Sequence, residues 1–520
     1  MQIPAISMEN PLLVKELRSR MRGARAYWIL LAYLTVLGIA LVLTYANWRW
    51  RAEVEGEAFA IGRAFFETLF FVQIGLVCLI APGLTAGTIT VEKEQRSYDL
   101  LAVTPMKARS IIIGKLISAI SFSVLLVTCS LPLVSVCFLL GGVSPGEVFF
   151  AYVVLLMAAV TYGSIGMMWS AVSRNTATAT VATYLTVAIV FLGTMPLVDY
   201  SARLQALNPA GAFLYVVSPE KYFALTVPAW VPSLILNGLA AVLLATVAIR
   251  KLDPYSTDRS VALRVQSLLL CTALLFFVFG WMFSEFRAGR TEDAWNACLT
   301  AAWFVALLLL LVATPIYASG EPQGDNRGLP GFLIHGWRRL LRSTLESGLP
   351  FVGLLLLAAA GLFLAGFPLS RLRIPEQLGW QLPMVMLLVF FVLAAYGIVA
   401  LLLSYILRSR WAALMCTYLL MAVFILLPLL TLTNWDGTPA HAGYNPLWLT
   451  LYLNPGFGVI SVAEPIMDFL PDPSQHQIPF FYITTLIYAF AAALAGVKLR
   501  HVLANERAMR KERGGPQIPT

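Results

Sequence analysis

Long stretches of apolar residues without a single charged side chain dominate this sequence. Met384–Leu407 and Ala294–Gly320 are two examples. A helix needs about 20 mostly apolar residues to cross the hydrocarbon core of a bilayer, and these stretches reach that length. Of the 520 residues, 59% are hydrophobic and 12% are charged, about half the charged share of a soluble domain. The sequence therefore predicts an all-α polytopic membrane protein.

Twelve stretches have the length and hydropathy of a membrane span. The first six are residues 27–46, 65–90, 111–140, 147–173, 176–199 and 229–249, and the second six are residues 261–283, 296–318, 349–367, 383–407, 411–433 and 479–500. We predict about twelve transmembrane helices.

The positions of the basic residues predict the orientation of these spans. With the N-terminus in the cytoplasm, 27 of the 36 Lys and Arg residues fall in cytoplasmic segments. Cytoplasmic loops of membrane proteins carry such an excess of positive charge. Both termini are therefore expected in the cytoplasm. We expect the protein in the plasma or inner membrane of the cell. The net charge of +9 then reflects topology, and we expect no nucleic acid as a partner.

The two halves of the chain resemble each other at an offset of 234 positions. Tyr162-Gly163, Ser170, Arg174 and Thr183-Tyr184-Leu185 recur as Tyr396-Gly397, Ser404, Arg408 and Thr417-Tyr418-Leu419. Parallel repeats with an even number of spans are common in transporters. We predict two repeated six-helix halves, residues 27–250 and 251–500, followed by a basic cytoplasmic tail at 501–520.

Residue types that carry chemistry are scarce. The six cysteines lie in apolar stretches without a Cys-x-x-Cys pair, and the four histidines are scattered, so we expect no disulfide framework and no metal site. No Gly-x-x-x-x-Gly-Lys-Ser/Thr loop or other catalytic motif is present. The sequence predicts a protein that is not an enzyme. The spans are nearly free of ionisable residues, which disfavours an ion-driven secondary transporter.

One predicted cytoplasmic loop has a distinctive sequence. Residues 90–105 read Thr-Val-Glu-Lys-Glu-Gln-Arg-Ser-Tyr-Asp-Leu-Leu-Ala-Val-Thr-Pro. The acidic start, the apolar middle and the final Thr104-Pro105 are typical of a short amphipathic helix near 91–104. On this pattern alone, an ordinary interfacial loop is the simpler interpretation.

The letters of this loop closely resemble the coupling-helix signature of ABC-2 type exporter permeases. The signature residues are Glu92, Lys93, Glu94, Ser97, Asp99, Leu100, Leu101, Thr104 and Pro105, and Gly114-Lys115 follows as in the family. Residues 1–26 resemble the family's interfacial amphipathic helix, through Asn10, Pro11, Lys15, Glu16 and Arg18.

The resemblance implies the membrane-spanning permease of an ABC exporter, with transport driven by a separate ABC ATP-binding subunit in two copies. ATP and Mg would bind to that subunit, and this chain would hold no cofactor. Leu100 and Leu101 would supply the buried contact, and the charged residues would fix its register. The permease could be a pseudo-dimer within one chain or a homodimer in the lipid bilayer.

The second half departs from this pattern. Its equivalent loop, residues 320–330, lacks Glu-Lys-Glu and is rich in Gly and Pro, and the basic stretch Trp337–Arg342 follows it. That stretch is open to two interpretations, a contact helix or a lipid anchor. The alternative function for the whole chain is a membrane scaffold or assembly subunit that binds an ATPase and moves no substrate.

The predicted orientation can be tested by cysteine labelling in intact cells. A membrane-impermeant reagent should modify a cysteine placed at Ser474, in the basic-free loop 434–478, and should spare one placed at Ser7. Labelling of position 7 and protection of position 474 would contradict the orientation.

Overall fold

A computed structural model describes the following parts of the chain: residues 24–55, 61–97, 108–194, 212, 219–223, 225–252, 259–288, 348–370, 378–406, 416–417, 419–420 and 484–498. The chain divides into two compact units, residues 1–273 and 274–520. We describe each unit by itself.

The first unit is a bundle of helices. They are α1 (Ala24–Glu55), α2 (Ile61–Ala86), α3 (Thr90–Glu94), α4 (Ala108–Cys129), α5 (Leu131–Leu140), α6 (Pro145–Val172), α7 (Thr176–Thr194) and α8 (Trp230–Leu252), and α9 (Arg259–Ala288) contains the division between the units. Within the described residues, six helical stretches are long and apolar enough to cross a membrane: 26–47, 62–94, 108–140, 145–172, 230–252 and 262–284. These spans confirm the prediction of an all-α polytopic membrane protein.

The helix α6 lies at the centre of the first unit, where it packs against α2, α4, α7 and α8. Its start is visible in the sequence, because Ser144 and Glu147 form a capping box around Pro145. Its residues Ala151, Leu155, Ala158 and Tyr162 are buried in the main apolar core.

The helices α2 and α6 approach each other closely at Gly166. A β-carbon at Gly166 would lie 2.7 Å from the backbone oxygen of Pro82 and 3.2 Å from the backbone nitrogen of Ala86, and it would also meet Thr85. Backbone atoms cannot rotate away as a side chain can. Only glycine therefore fits at this crossing.

Two breaks divide the long apolar stretches. Gly87–Ile89 separates α2 from α3, and Ser130 separates α4 from α5, which has Pro132 in its first turn. The end of α5 lies far from the first break, since Gly141 after α5 lies against Gly62 at the start of α2. We call the end of the bundle that carries Thr90–Ser97 the motif end.

A small hairpin precedes α8 and was not predicted from the sequence. Strands β1 (Pro219–Tyr222) and β2 (Leu225–Pro228) pair antiparallel, with Tyr222 opposite Leu225. Tyr222 and Phe223 are buried at its tip, and Phe223 adopts a positive φ of 56°. That burial holds the tip against the unit despite the unfavourable backbone region.

The second unit contains the rest of α9, α10 (Gly348–Leu369), α11 (Leu378–Ile406) and α12 (Thr484–Lys498). Aromatic rings join α9 to α10, with Phe283 and Phe367 at 4.9 Å between ring centroids. Tyr396 and Tyr488 bring α11 and α12 together at 6.0 Å.

Helix bounds recur at the sequence offset. Shifted by 234 positions, α1 falls on residues 258–289 and α6 on residues 379–406, beside the observed Arg259–Ala288 and Leu378–Ile406. The predicted spans 296–318 and most of 411–433 lie outside the described residues. The twelve-span count and the domain bounds at 27–250, 251–500 and 501–520 therefore stay predictions.

The close crossing at Gly166 predicts opposite effects for two glycine substitutions. Gly166→Ala should lower the free energy of unfolding by about 1–3 kcal/mol, because the added methyl group meets backbone. Gly75→Ala on α2 is the matched control, since a β-carbon there has no atom within 4 Å, and it should be neutral or stabilising. Denaturant unfolding of the purified variants measures both, and equal losses would contradict the packing.

Candidate functional site

The Glu-Lys-Glu segment, Gly87–Ser97, follows α2 at the motif end. Its helix α3 ends in a Schellman motif, in which the Arg96 N–H donates to Lys93 O at 3.2 Å and the Ser97 N–H donates to Glu92 O at 3.0 Å. Arg96 takes the left-handed position with φ 56°, where glycine is usual. Within the described residues the helix predicted near 91–104 ends at Glu94, and residues 98–104 lie outside the described residues.

Several signature residues fall outside the described residues. They are Asp99, Leu100, Leu101, Thr104 and Pro105 of the loop, and Asn10, Pro11, Lys15, Glu16 and Arg18 of the N-terminal stretch. Glu92, Lys93, Glu94 and Ser97 are described, and each makes contacts within the chain.

Glu92 forms an ion pair with Lys115 of α4. The Lys115 Nζ lies 2.7 Å from Glu92 Oε1, and it also donates to the backbone oxygen of Thr88 at 3.2 Å. Only 2% of the Lys115 side chain is exposed, against 23% of the Glu92 side chain. A buried ammonium group needs such partners, because losing water is costly for a charge. The pair joins the segment to α4.

Lys93 caps the end of α6. Its Nζ donates to the backbone oxygens of Ser170 at 3.3 Å, Ala171 at 2.6 Å and Ser173 at 3.0 Å. The last carbonyl groups of a helix have no partner within the helix and carry partial negative charge. The Lys93 ammonium group donates hydrogen bonds to these carbonyl groups and places a positive charge beside them.

Glu94 caps the start of α7. Its Oε1 accepts a hydrogen bond from the Thr176 N–H at 2.7 Å, and its Oε2 accepts one from the Thr176 hydroxyl at 3.0 Å. The first N–H groups of a helix lack partners and favour an anion. A carboxylate from α3 supplies it here.

Ser170 holds the start of α3 and was singled out in the sequence only as a repeated letter. Its buried hydroxyl accepts hydrogen bonds from the backbone N–H groups of Ile89 at 2.9 Å and Thr90 at 3.3 Å. An apolar cluster supports these contacts, with Ile89, Ile112, Met167, Ala171 and Ala248 packed together. Ser170, Thr176 and the burial of Lys115 are features that sequence reasoning missed, since each depends on a distant partner.

The segment also presents an exposed side. Val91 is 39% exposed, and Gln95 and Arg96 are exposed as well. The neighbouring connection between α6 and α7, Ser173–Asn175, is exposed at Arg174 and Asn175. The segment therefore contacts three helices through Glu92, Lys93 and Glu94, while Val91, Gln95 and Arg96 are exposed.

The glycines Gly83 and Gly87 face α7. A β-carbon at Gly83 would lie 2.6 Å from the Tyr184 hydroxyl, and one at Gly87 would lie 3.5 Å from the Thr176 methyl group. Tyr184 also donates to the backbone oxygen of Leu79 at 2.8 Å. These contacts place α2 and α7 side by side up to the motif end.

Buried polar side chains within the bundle are mostly satisfied by their own helix. Ser123 and Ser164 donate to carbonyl groups four residues earlier, and Thr161 bonds Met157 and Asn237. Gln73 differs: it is fully buried, and its amide has no hydrogen-bond partner among the described residues. Nor do the described residues hold a cluster of three or more metal-ligating side chains.

The burial of Lys115 predicts a large cost for removing its charge. Lys115→Met leaves the Glu92 carboxylate unpaired, and we expect the free energy of unfolding to fall by about 3 kcal/mol or more. Glu67→Gln is the matched control at the exposed Arg63–Glu67 pair, where 40% and 43% of the side chains are exposed and Arg63 keeps Glu147 as a second partner at 3.2 Å, and it should cost less than about 1 kcal/mol. The double variant Glu92→Gln with Lys115→Met should recover part of the loss in denaturant unfolding. A loss no larger than that of the control would contradict the ion pair.

Comparison with known proteins gives a family for the first part of the chain. The family model described as ABC-2 type transporter matches residues 11–207. No curated protein and no solved structure matches the chain significantly. The matched stretch includes α1 to α7 and the whole Glu-Lys-Glu segment. Residues 11–207, less than half of the chain, are thus similar to the ABC-2 type transporter family.

Proposed function

We propose that this chain is the permease of an ABC exporter and moves a substrate across the cell membrane with energy from a separate ATP-binding subunit. The observation that carries the proposal is the Glu-Lys-Glu segment, which lies at one end of the bundle and contacts α4, α6 and α7 there. The family match and the apolar helices support it. A push on this segment would reach three helices at once.

The chain depends on another subunit for ATP. The sequence contains one Gly-Lys pair, Gly114-Lys115, and this pair is not part of a Gly-x-x-x-x-Gly-Lys-Ser/Thr phosphate-binding loop. Lys115 is also buried against Glu92, so its ammonium group serves the fold. Nucleotide and Mg would bind to the ATP-binding subunit, of which we propose two copies.

The motif end is proposed to face the cytoplasm. Lys93, Lys115, Arg174, Arg250 and Lys251 all lie at this end, at the termini of α3, α4, α6 and α8. Positive charge of this kind is typical of the cytoplasmic side. ATP is a cytoplasmic substrate, so this orientation places the segment on the side of the ATP-binding subunit.

The contact with that subunit is assigned to residues 98–105. Ser97 and Ala108 bound the connection that contains Leu100 and Leu101, so both ends of it are attached to the bundle. An apolar pair on such a connection is suited to anchor a partner, because buried aliphatic contacts dominate small interfaces. The charged residues before it are engaged within the chain.

This assignment predicts the effect of removing the apolar pair. Replacing Leu100 and Leu101 by Ala should weaken binding of the ATP-binding subunit by about 2 kcal/mol or more, while membrane insertion stays intact. The subunit should then be lost on co-purification, and ATP hydrolysis should fall to the background of the chain alone.

Leu340 and Leu341, replaced by Ala, provide the matched control in the second half. Their effect should be smaller, because that loop lacks the Glu-Lys-Glu sequence that attaches the first-half connection to the bundle. Loss of the ATP-binding subunit from this control, with retention by the first variant, would contradict a contact dominated by the first half.

A further inference from the structure

The charged groups of Lys93 and Glu94 both form hydrogen bonds with helix ends of this chain. Lys93 Nζ has three N–H donors and meets three carbonyl oxygens, between 2.6 and 3.3 Å away. Both oxygens of Glu94 accept hydrogen bonds from Thr176, at 2.7 and 3.0 Å. The two side chains thus bind the end of α6 and the start of α7, on either side of the connection Ser173–Asn175.

We propose that Lys93 and Glu94 are positioning residues that transmit movement of the Glu-Lys-Glu segment to α6 and α7, and that they do not themselves bind the ATP-binding subunit. This inference rests on the proposed function and deepens it. It separates a docking part, residues 98–105, from a transmitting part, Glu92–Glu94.

The short connection between α6 and α7 couples the two helix ends that Lys93 and Glu94 contact. Ser173–Asn175 is the whole link between Val172, the last residue of α6, and Thr176, the first of α7. Val172 and Thr176 are four residues apart along the chain, at most about 14 Å when it is fully extended, so the two helix ends cannot separate far. A displacement of Lys93 or Glu94 therefore moves both ends together or breaks the hydrogen bonds.

A second set of contacts keeps the segment and α6 in step. The Ser170 hydroxyl accepts hydrogen bonds from the backbone N–H groups of Ile89 and Thr90, and the hydroxyl oxygens of Thr176 and Thr90 lie 3.1 Å apart. On the opposite side, Glu92 holds Lys115 of α4. Because α6 is central and packs against α2, α4, α7 and α8, its end is a direct route from the segment into the bundle.

Chemistry separates this role from that of a contact residue. The Glu94 contacts with Thr176 need one acceptor for the N–H group and one polar partner for the hydroxyl group, and a glutamine amide supplies both. An ion pair with a partner subunit needs the negative charge. Glu94→Gln should therefore preserve a positioning role and weaken a contact role.

The test compares the variants Glu94→Ala, Glu94→Gln and Lys93→Met of the full-length chain. Each variant is purified and reconstituted in lipid nanodiscs, with and without the ATP-binding subunit. Hydrogen–deuterium exchange of peptides covering residues 98–107 and 173–180 is measured with no nucleotide and with ATP plus vanadate. Glu67→Ala, at the opposite end of the bundle, is the matched control. Co-purification of the ATP-binding subunit is quantified for each variant.

We expect Glu94→Ala to raise exchange at the first amides of α7 about fivefold in the chain alone, since a helix cap is lost. All variants should retain the ATP-binding subunit and the nucleotide-dependent change at residues 98–107. Glu94→Ala and Lys93→Met should lose that change at residues 173–180, whereas Glu94→Gln and Glu67→Ala should keep it.

Three results would overturn the inference. Release of the ATP-binding subunit by Glu94→Gln would make Glu94 a contact residue. A nucleotide-dependent change at 173–180 that survives in Glu94→Ala and Lys93→Met would show that the hydrogen bonds of these two residues do not transmit the movement. Failure of the wild-type chain to capture any ATP-binding subunit would instead reject the proposed function, and with it the transmission.

Discussion

A lysine ammonium group buried near the start of an apolar helix is the constraint on which the motif end depends. Lys115 is almost inaccessible, and its charge is balanced by Glu92 and by the Thr88 carbonyl group. An unpaired charge at this depth would be unfavourable, so the segment after α2 must place a carboxylate against α4. In that position Lys93 and Glu94 lie at the ends of α6 and α7. One electrostatic requirement thereby orders the contacts of three helices.

The structure gives the Glu-Lys-Glu sequence a different emphasis from the one that its letters suggest. As a sequence, Glu92 to Leu101 resembles one docking helix with a charged turn and an apolar turn. In the structure the first turn closes at Arg96 and Ser97, and the side chains of Glu92, Lys93 and Glu94 bond to other helices of this chain. The charged half thus acts on this chain, and the proposed partner contact passes to the apolar half.

The apolar stretches and the helix starts could be predicted from the sequence, because both depend on local composition. The bilayer requires a minimum apolar length, and Ser144 and Glu147 cap α6 within one turn. The pairs Glu92–Lys115 and Glu94–Thr176 join residues 23 and 82 positions apart. No periodicity signals such pairs. The hairpin at Pro219–Pro228 was missed because the burial of Tyr222 and Phe223, more than any turn residue, holds it.

The most direct test of the account is photo-crosslinking in living cells. A photoreactive amino acid at Leu101 and another at Lys251, on the same end of the bundle, would be activated separately, and the attached proteins identified by mass spectrometry. The account predicts that position 101 captures a soluble protein with a phosphate-binding loop, and that position 251 captures it far less. Capture at position 101 of only lipid, or only of proteins without such a loop, would contradict it.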